Sequence, residues 1–183
     1  PPLLAHQVAR VEADGTASHN ESFVEFEFVD FGRLIGARGG SLSWGSTIFG
    51  ETFFTRTTDE YIIIQSMGQA RVSRSTAETT SFRVDGSHVE TTTLTDFTYT
   101  DLHTDPALLP AYYRNADGSV KAIFLDGAGQ LREGLTLAVR GTVRGVGETV
   151  FGETFTQDST QTYDIVAGGP KVIRTETVTD TVS

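Results

Sequence analysis

A seven-residue segment occurs twice, and this duplication restricts the folds open to the chain more than any other feature. Thr47-Ile48-Phe49-Gly50-Glu51-Thr52-Phe53 returns as Thr149-Val150-Phe151-Gly152-Glu153-Thr154-Phe155, 102 positions later. At the same spacing Arg38-Gly39 matches Arg140-Gly141, Gly45 matches Gly147 and Tyr61 matches Tyr163. Further on, Arg71-Val72-Ser73-Arg74 is echoed by Lys171-Val172-Ile173-Arg174, and Ser18-His19-Asn20-Glu21 more weakly by Ser87-His88-Val89-Glu90. A solenoid generally needs at least about three stacked repeats. Two copies therefore predict one domain over 1–183, with internal units near 33–82 and 134–183 in a pseudo-two-fold relation.

The segments between these landmarks read as β-structure. Thr, Val, Phe and Ile recur in short alternating runs punctuated by 19 glycines, the pattern of half-buried strands. Four Asp-Gly pairs, at 14–15, 85–86, 117–118 and 126–127, are the turn chemistry of tight hairpins. Strands are expected near 3–12, 21–31, 33–42, 46–56, 60–67, 70–82, 88–100, 119–125, 134–144, 147–157, 161–167 and 171–181. Such even spacing predicts an all-β antiparallel meander closed into a barrel, with a sandwich as the alternative. One short helix is expected, at Asp105-Pro106-Ala107-Leu108-Leu109, because Asp caps well and Pro suits the first helical position. The surrounding stretch, roughly 101–116, reads as a connection packed across an open barrel end or as a lid over a pocket.

The formal net charge of −10 and a pI near 4.7 argue against nucleic acid, whose phosphates must be neutralised by Lys and Arg, and against anionic membrane surfaces. No apolar run approaches the roughly 20 residues of a membrane-spanning helix. The absence of cysteine removes disulfides, thiolate metal sites and a thiol nucleophile. The amino terminus carries no signal-peptide pattern. A cytoplasmic location is therefore expected, with secretion after loss of a signal peptide as the alternative.

If the repeated segment is one continuous strand, Phe49, Glu51 and Phe53 share a face, as do Phe151, Glu153 and Phe155. A carboxylate between aromatic rings on an inward face either pairs with a cation or has its pKa raised by desolvation, and in the second case it suits general acid–base work. Glu51 and Glu153 are thus the candidate catalytic residues. Candidate substrate-binding residues are Arg38, Arg140, Tyr61, Tyr163, Phe49, Phe53, Phe151, Phe155, Trp44, Tyr112 and Tyr113. The competing reading makes the two glutamates partners of the recurring arginines in structural ion pairs. His19 with Glu21, and His88 with Glu90, share strand faces but lack a metal-binding motif. Nucleophile-elbow, phosphate-loop and dinucleotide motifs are absent, and no cofactor is expected.

Two functions follow. The favoured one is a small-molecule barrel, a cofactor-independent cyclase, isomerase or hydratase ahead of a carrier, for a small apolar or aromatic molecule, with a homo-oligomer allowed. The other is a non-catalytic structural or interaction domain, a shell, tail or adhesin component. That second reading draws on the Thr-rich stretches 76–100 and 154–183 and a long terminal strand able to pair with a neighbour.

Overall fold

The computed structural model describes residues 4–11 and 15–182, the stretch 4–8 by its backbone alone. The strands are β1 (Leu4–Val11), β2 (Ala17–Val29), β3 (Arg33–Ser46), β4 (Thr52–Ile64), β5 (Gln69–Phe82), β6 (His88–Tyr99), β7 (Thr136–Glu148), β8 (Thr154–Val166) and β9 (Gly169–Val182). They form one antiparallel nine-stranded sheet in sequence order, β1 to β9. The chain is all-β, but the sheet keeps two free edges, β1 and β9, and is not closed into a barrel.

The expected strands 33–42, 46–56 and 60–67 are in fact two longer ones, β3 and β4, and 134–144, 147–157 and 161–167 are likewise β7 and β8. Ser43-Trp44-Gly45 and Thr57-Thr58-Asp59, where breaks are expected, lie within strands β3 and β4. The expected strand 119–125 is instead a connection in which Ala122–Phe124 makes one 3-10 turn between isolated bridges, Arg114 to Val120 and Leu125 to Leu131. Asp105 does cap its neighbours, its carboxylate accepting from Ala107 N at 2.8 Å. Pro110 follows too closely, however, and only the 3-10 turn Pro106–Leu108 forms. Among the described residues no helix is long and apolar enough to cross a membrane.

Hydrogen-bonded register fixes what each face carries. On the sheltered face one row across the sheet reads Ser22, Ser41, Thr57, Ala77, Thr93, Val143, Ser159 and Thr177. Hydroxyls bond across strands there, Thr55 to Thr79 at 2.9 Å and Ser159 to Thr177 at 2.9 Å. A face of Ser, Thr and Gly cannot build a thick apolar layer, since burial stabilises in proportion to the apolar area removed from water. The chain accordingly exposes 11878 Å², where a compact monomer of 19.8 kDa exposes about 8,600 Å².

The apolar cluster sits at one end. Leu109, Tyr113, Val139 and Ile165 are buried together, with Phe97, Tyr112, Phe124, Leu135 and Tyr163 packed against them. The connection between β6 and β7 supplies Leu109 and Tyr113, so it behaves as a plug over the ends of β6 to β8. Thr100, 1% exposed, fastens its two ends: its hydroxyl donates to Arg132 O at 2.8 Å and accepts from Leu135 N at 3.0 Å.

The β-bulges recur as well. Extra residues stand at Ile35 in β3 and Leu137 in β7, and at Ser73 in β5 and Ile173 in β9. A bulge bends its strand and sharpens the local twist, so both three-strand groups, β3–β5 and β7–β9, bend at matching places.

Burial raises the hydroxyl pKa of Tyr113, with the neighbouring Tyr112 adding to it, and raises those of Tyr61 and Tyr99. A folded-state pKa above the unfolded one leaves stability whole at lower pH and erodes it as pH climbs past the unfolded value of about 10. Alkaline titration should therefore show a delayed tyrosinate absorbance that rises together with unfolding. Tyr113→Phe should move that unfolding to higher pH; a smooth tyrosinate titration completed before unfolding would contradict the burial.

Candidate functional site

The duplicated segment is not one strand. Thr47 N donates to Glu51 O at 2.8 Å and Gly50 N to Thr47 O at 3.0 Å; Thr149 and Gly152 repeat both bonds at 2.8 and 3.0 Å. Each segment is thus a five-residue hairpin turn, with Gly50 and Gly152 in the left-handed region at φ +85° and +80°. The same bonds close Arg83 to Ser87 and Asn115 to Ser119, where Asp85-Gly86 and Asp117-Gly118 occupy the third and fourth positions. In those two turns the Asp carboxylate accepts from the following Ser hydroxyl at 2.6 Å, which holds both carboxyl groups below the usual range. Phe-Gly in place of Asp-Gly disguises the other two turns as alternating strand.

This placement corrects the expected geometry around the glutamates. Phe49 and Phe151 lie at turn tips, 76% and 88% exposed, and do not flank Glu51 and Glu153 on a strand face. The two carboxylates belong to hairpins separated by β5 and β6, three inter-strand spacings along the sheet, or about 14 Å. They do not share a cavity, and neither makes an ion pair among the described residues.

The remaining repeated residues divide between the two faces. Tyr61 and Tyr163 lie on the sheltered face over Gly39 and Gly141, where a Cβ would stand 2.8 Å from either hydroxyl oxygen. Phe53 and Phe155 cover Gly45 and Gly147 in the same way, with a Cβ 2.8 and 2.5 Å from the ring. Each aromatic thus fills the gap left by a cross-strand glycine. Tyr163 also donates to Gln161 Oε1 at 2.7 Å. Trp44 is on the opposite face, its ring 4.3 Å from that of His19. Tyr112 and Tyr113 belong to the plug.

Arg38 and Arg140 also lie on that opposite, open face, in a row legible only once register is known. Across the sheet it reads Glu25, Arg38, Glu60, Arg74, Asp96, Arg140, Thr162 and Arg174. Opposite charges face each other at five of its seven junctions. Arg38 meets Glu25 at 2.5 Å and Arg74 meets Asp96 at 2.7 Å; hydrogen bonding to Asp96 holds Arg74 more firmly in its charged form. Two rows are less regular: one contains Arg56 opposite Glu78 and Arg144 4.0 Å from Asp158, the other the close ring pair His19 and Trp44. Like charges directly opposite would be repulsive, so the row favours the observed register over a slipped one that would bring like charges together.

The residues expected to form one site are therefore dispersed over a turn end, two faces and a plug. Several concavities among the described residues are open grooves: one places Glu51 beside Phe53, another Trp44 beside Phe53, and Arg38 lines two more. His19 Nε2 lies 3.3 Å from Glu21 Oε1, yet no three His, Asp or Glu among the described residues come together as a metal cage. No family model matches the sequence, and no curated protein or solved structure matches it either.

The turn geometry makes its own prediction. The glutamates enter their turns through backbone groups, so Glu51→Gln and Glu153→Gln should each shift stability by less than about 0.5 kcal/mol. Gly50→Ala should cost about 1–2 kcal/mol, because a Cβ is disfavoured in the left-handed region. Urea midpoints decide the matter; a glutamine variant more damaging than the alanine variant would give Glu51 a role that the turn does not require.

Proposed function

We propose that this chain is a non-catalytic structural domain that works by assembling with other polypeptide through its sheet. One observation carries the reading: the repeated residues maintain sheet geometry and do not converge on a cavity. Gly39 with Tyr61 and Gly45 with Phe53, like their counterparts on β7 and β8, are close-approach pairs. Gly50 and Gly152 shape turns, and the arginines build a charge row. The unusually large exposed surface and the open edge of β9, whose described side chains are almost all exposed, favour a protein completed by neighbours.

The alternative, a small-molecule barrel with Glu51 and Glu153 as acid and base, would need the sheet to close and bring together two carboxylates now on separate hairpins. Native mass spectrometry separates the two readings. Assemblies of several chains carrying no small molecule are expected. A monomer retaining a small organic molecule would overturn the proposal in favour of the pocket, and a monomer at every concentration would overturn it outright.

A further inference from the structure

Resting on that reading, we infer that β9 of one chain pairs with β2 of a second copy, in the register by which β5 pairs with β6 within a chain. The charge row supplies the first argument. It falls into two four-strand sets: Glu25, Arg38, Glu60 and Arg74 on β2 to β5, then Asp96, Arg140, Thr162 and Arg174 on β6 to β9. Each set opens with an acid beside an arginine of β3 or β7 and closes with an arginine on β5 or β9. The sets join inside the chain at Arg74 and Asp96, 2.7 Å apart. Arg174 ends the second set at a free edge and, among the described residues, reaches along its own strand to Glu176 at 2.5 Å. Its missing neighbour is an acid at the place of Asp96, and that place on the first set is held by Glu25.

The register then follows residue by residue. Setting Arg174 opposite Glu25, as Arg74 is opposite Asp96, puts Val182 opposite Ala17, just as Phe82 is opposite His88. Between these ends Asp180 faces His19, and no like charges stand directly opposite each other. On the sheltered face Thr181, Thr179 and Thr177 face Ser18, Asn20 and Ser22, prolonging the hydroxyl ladder. Within a chain β1 holds the edge of β2 from Ala17 to Val24 and stops short of Glu25. The incoming β9 takes that edge from β1, with one more residue pair than β1 makes, and sets Arg174 beside Glu25. Because β9 and β2 are different surfaces, the contact is head-to-tail and builds either a ring or a growing filament.

The chain has no cysteine, so introduced thiols report without background. Ser22 and Thr177 fall directly opposite in this register, at a separation suited to a disulfide. Ser22→Cys chains mixed with Thr177→Cys chains in a glutathione buffer should give a crosslinked dimer several-fold above either variant alone. The yield should also stand several-fold above that of Thr177→Cys mixed with Arg10→Cys, which reports pairing with β1 on the same sheltered face. Adding Arg174→Glu to the Thr177→Cys chain should reduce the dimer several-fold. A dominant crosslink to Arg10→Cys overturns the register, as does the absence of any crosslink. The double variant Ser22→Cys/Thr177→Cys should give a ladder of multimers; a crosslinked monomer instead would show β9 closing onto its own β2 and overturn the second copy. Light scattering on the same unoxidised samples separates the two levels: assemblies without the disulfide sink this pairing alone, whereas monomers sink the structural reading with it.

Discussion

Tyr113→Ala should destabilise the protein by about 3–5 kcal/mol, the cost of removing a large aromatic from a packed interior, and should detach the plug from the sheet. Tyr113 is 2% exposed, and its ring meets that of Phe124 edge-on at 4.8 Å and that of Tyr112 at 5.3 Å. The effect is large because the four-residue cluster of Leu109, Tyr113, Val139 and Ile165 is the principal apolar core of the described chain. A domain of this size is stable by only about 5–15 kcal/mol, so one such cavity removes a substantial fraction. Urea unfolding of Tyr113→Ala and Tyr113→Phe checks the prediction. The phenylalanine variant keeps the ring and should stay within about 1.5 kcal/mol of the parent. Equal losses in both would shift the weight from ring packing to the hydroxyl.

Gly147→Val should cost about 3 kcal/mol, the upper part of the range for forced overpacking. A Cβ at this position would lie 2.5 and 2.6 Å from ring carbons of Phe155 and 2.8 Å from His88 O. The ring can swing aside, but the carbonyl of β6 belongs to the ladder and cannot. Combining Gly147→Val with Phe155→Ala should therefore recover only part of the loss, a coupling that a double-mutant cycle reads directly. Full recovery would mean that the ring alone set the requirement for glycine. Gly45, 2.3 Å from Ala17 O and 2.8 Å from Phe53 in the same sense, should behave alike.

The sequence disclosed the repeated residues without disclosing their purpose. Alternation along Thr47–Phe53 is compatible with a strand, and only the hydrogen bonds from Thr47 and Gly50 reveal a turn. The signal that would have found it is positional: Gly50 is the fourth of five residues, as Gly86 is in Arg83–Ser87, where the preceding Asp85 makes the turn recognisable. Asp126-Gly127 misleads in the opposite sense, since Gly129, at φ +78°, takes the left-handed position of that turn. Arg38 and Tyr61 resemble members of one site because both recur at the same spacing. They stand on opposite faces, since Arg38 pairs with Glu60 and Tyr61 is the next residue along β4.

Local chemistry by itself determined the β-rich character, the antiparallel order and the duplicated landmarks, because Thr, Val and Gly patterning acts between near neighbours in the chain. Only the tertiary structure decided the rest: that the sheet stays open, that the sheltered face is lined by hydroxyls, and that Glu25 through Arg174 form one row of alternating charge. These depend on register between strands brought together across connections as long as residues 100–135. A shift of one residue turns every side chain to the other face, and no residue's own preference specifies that choice.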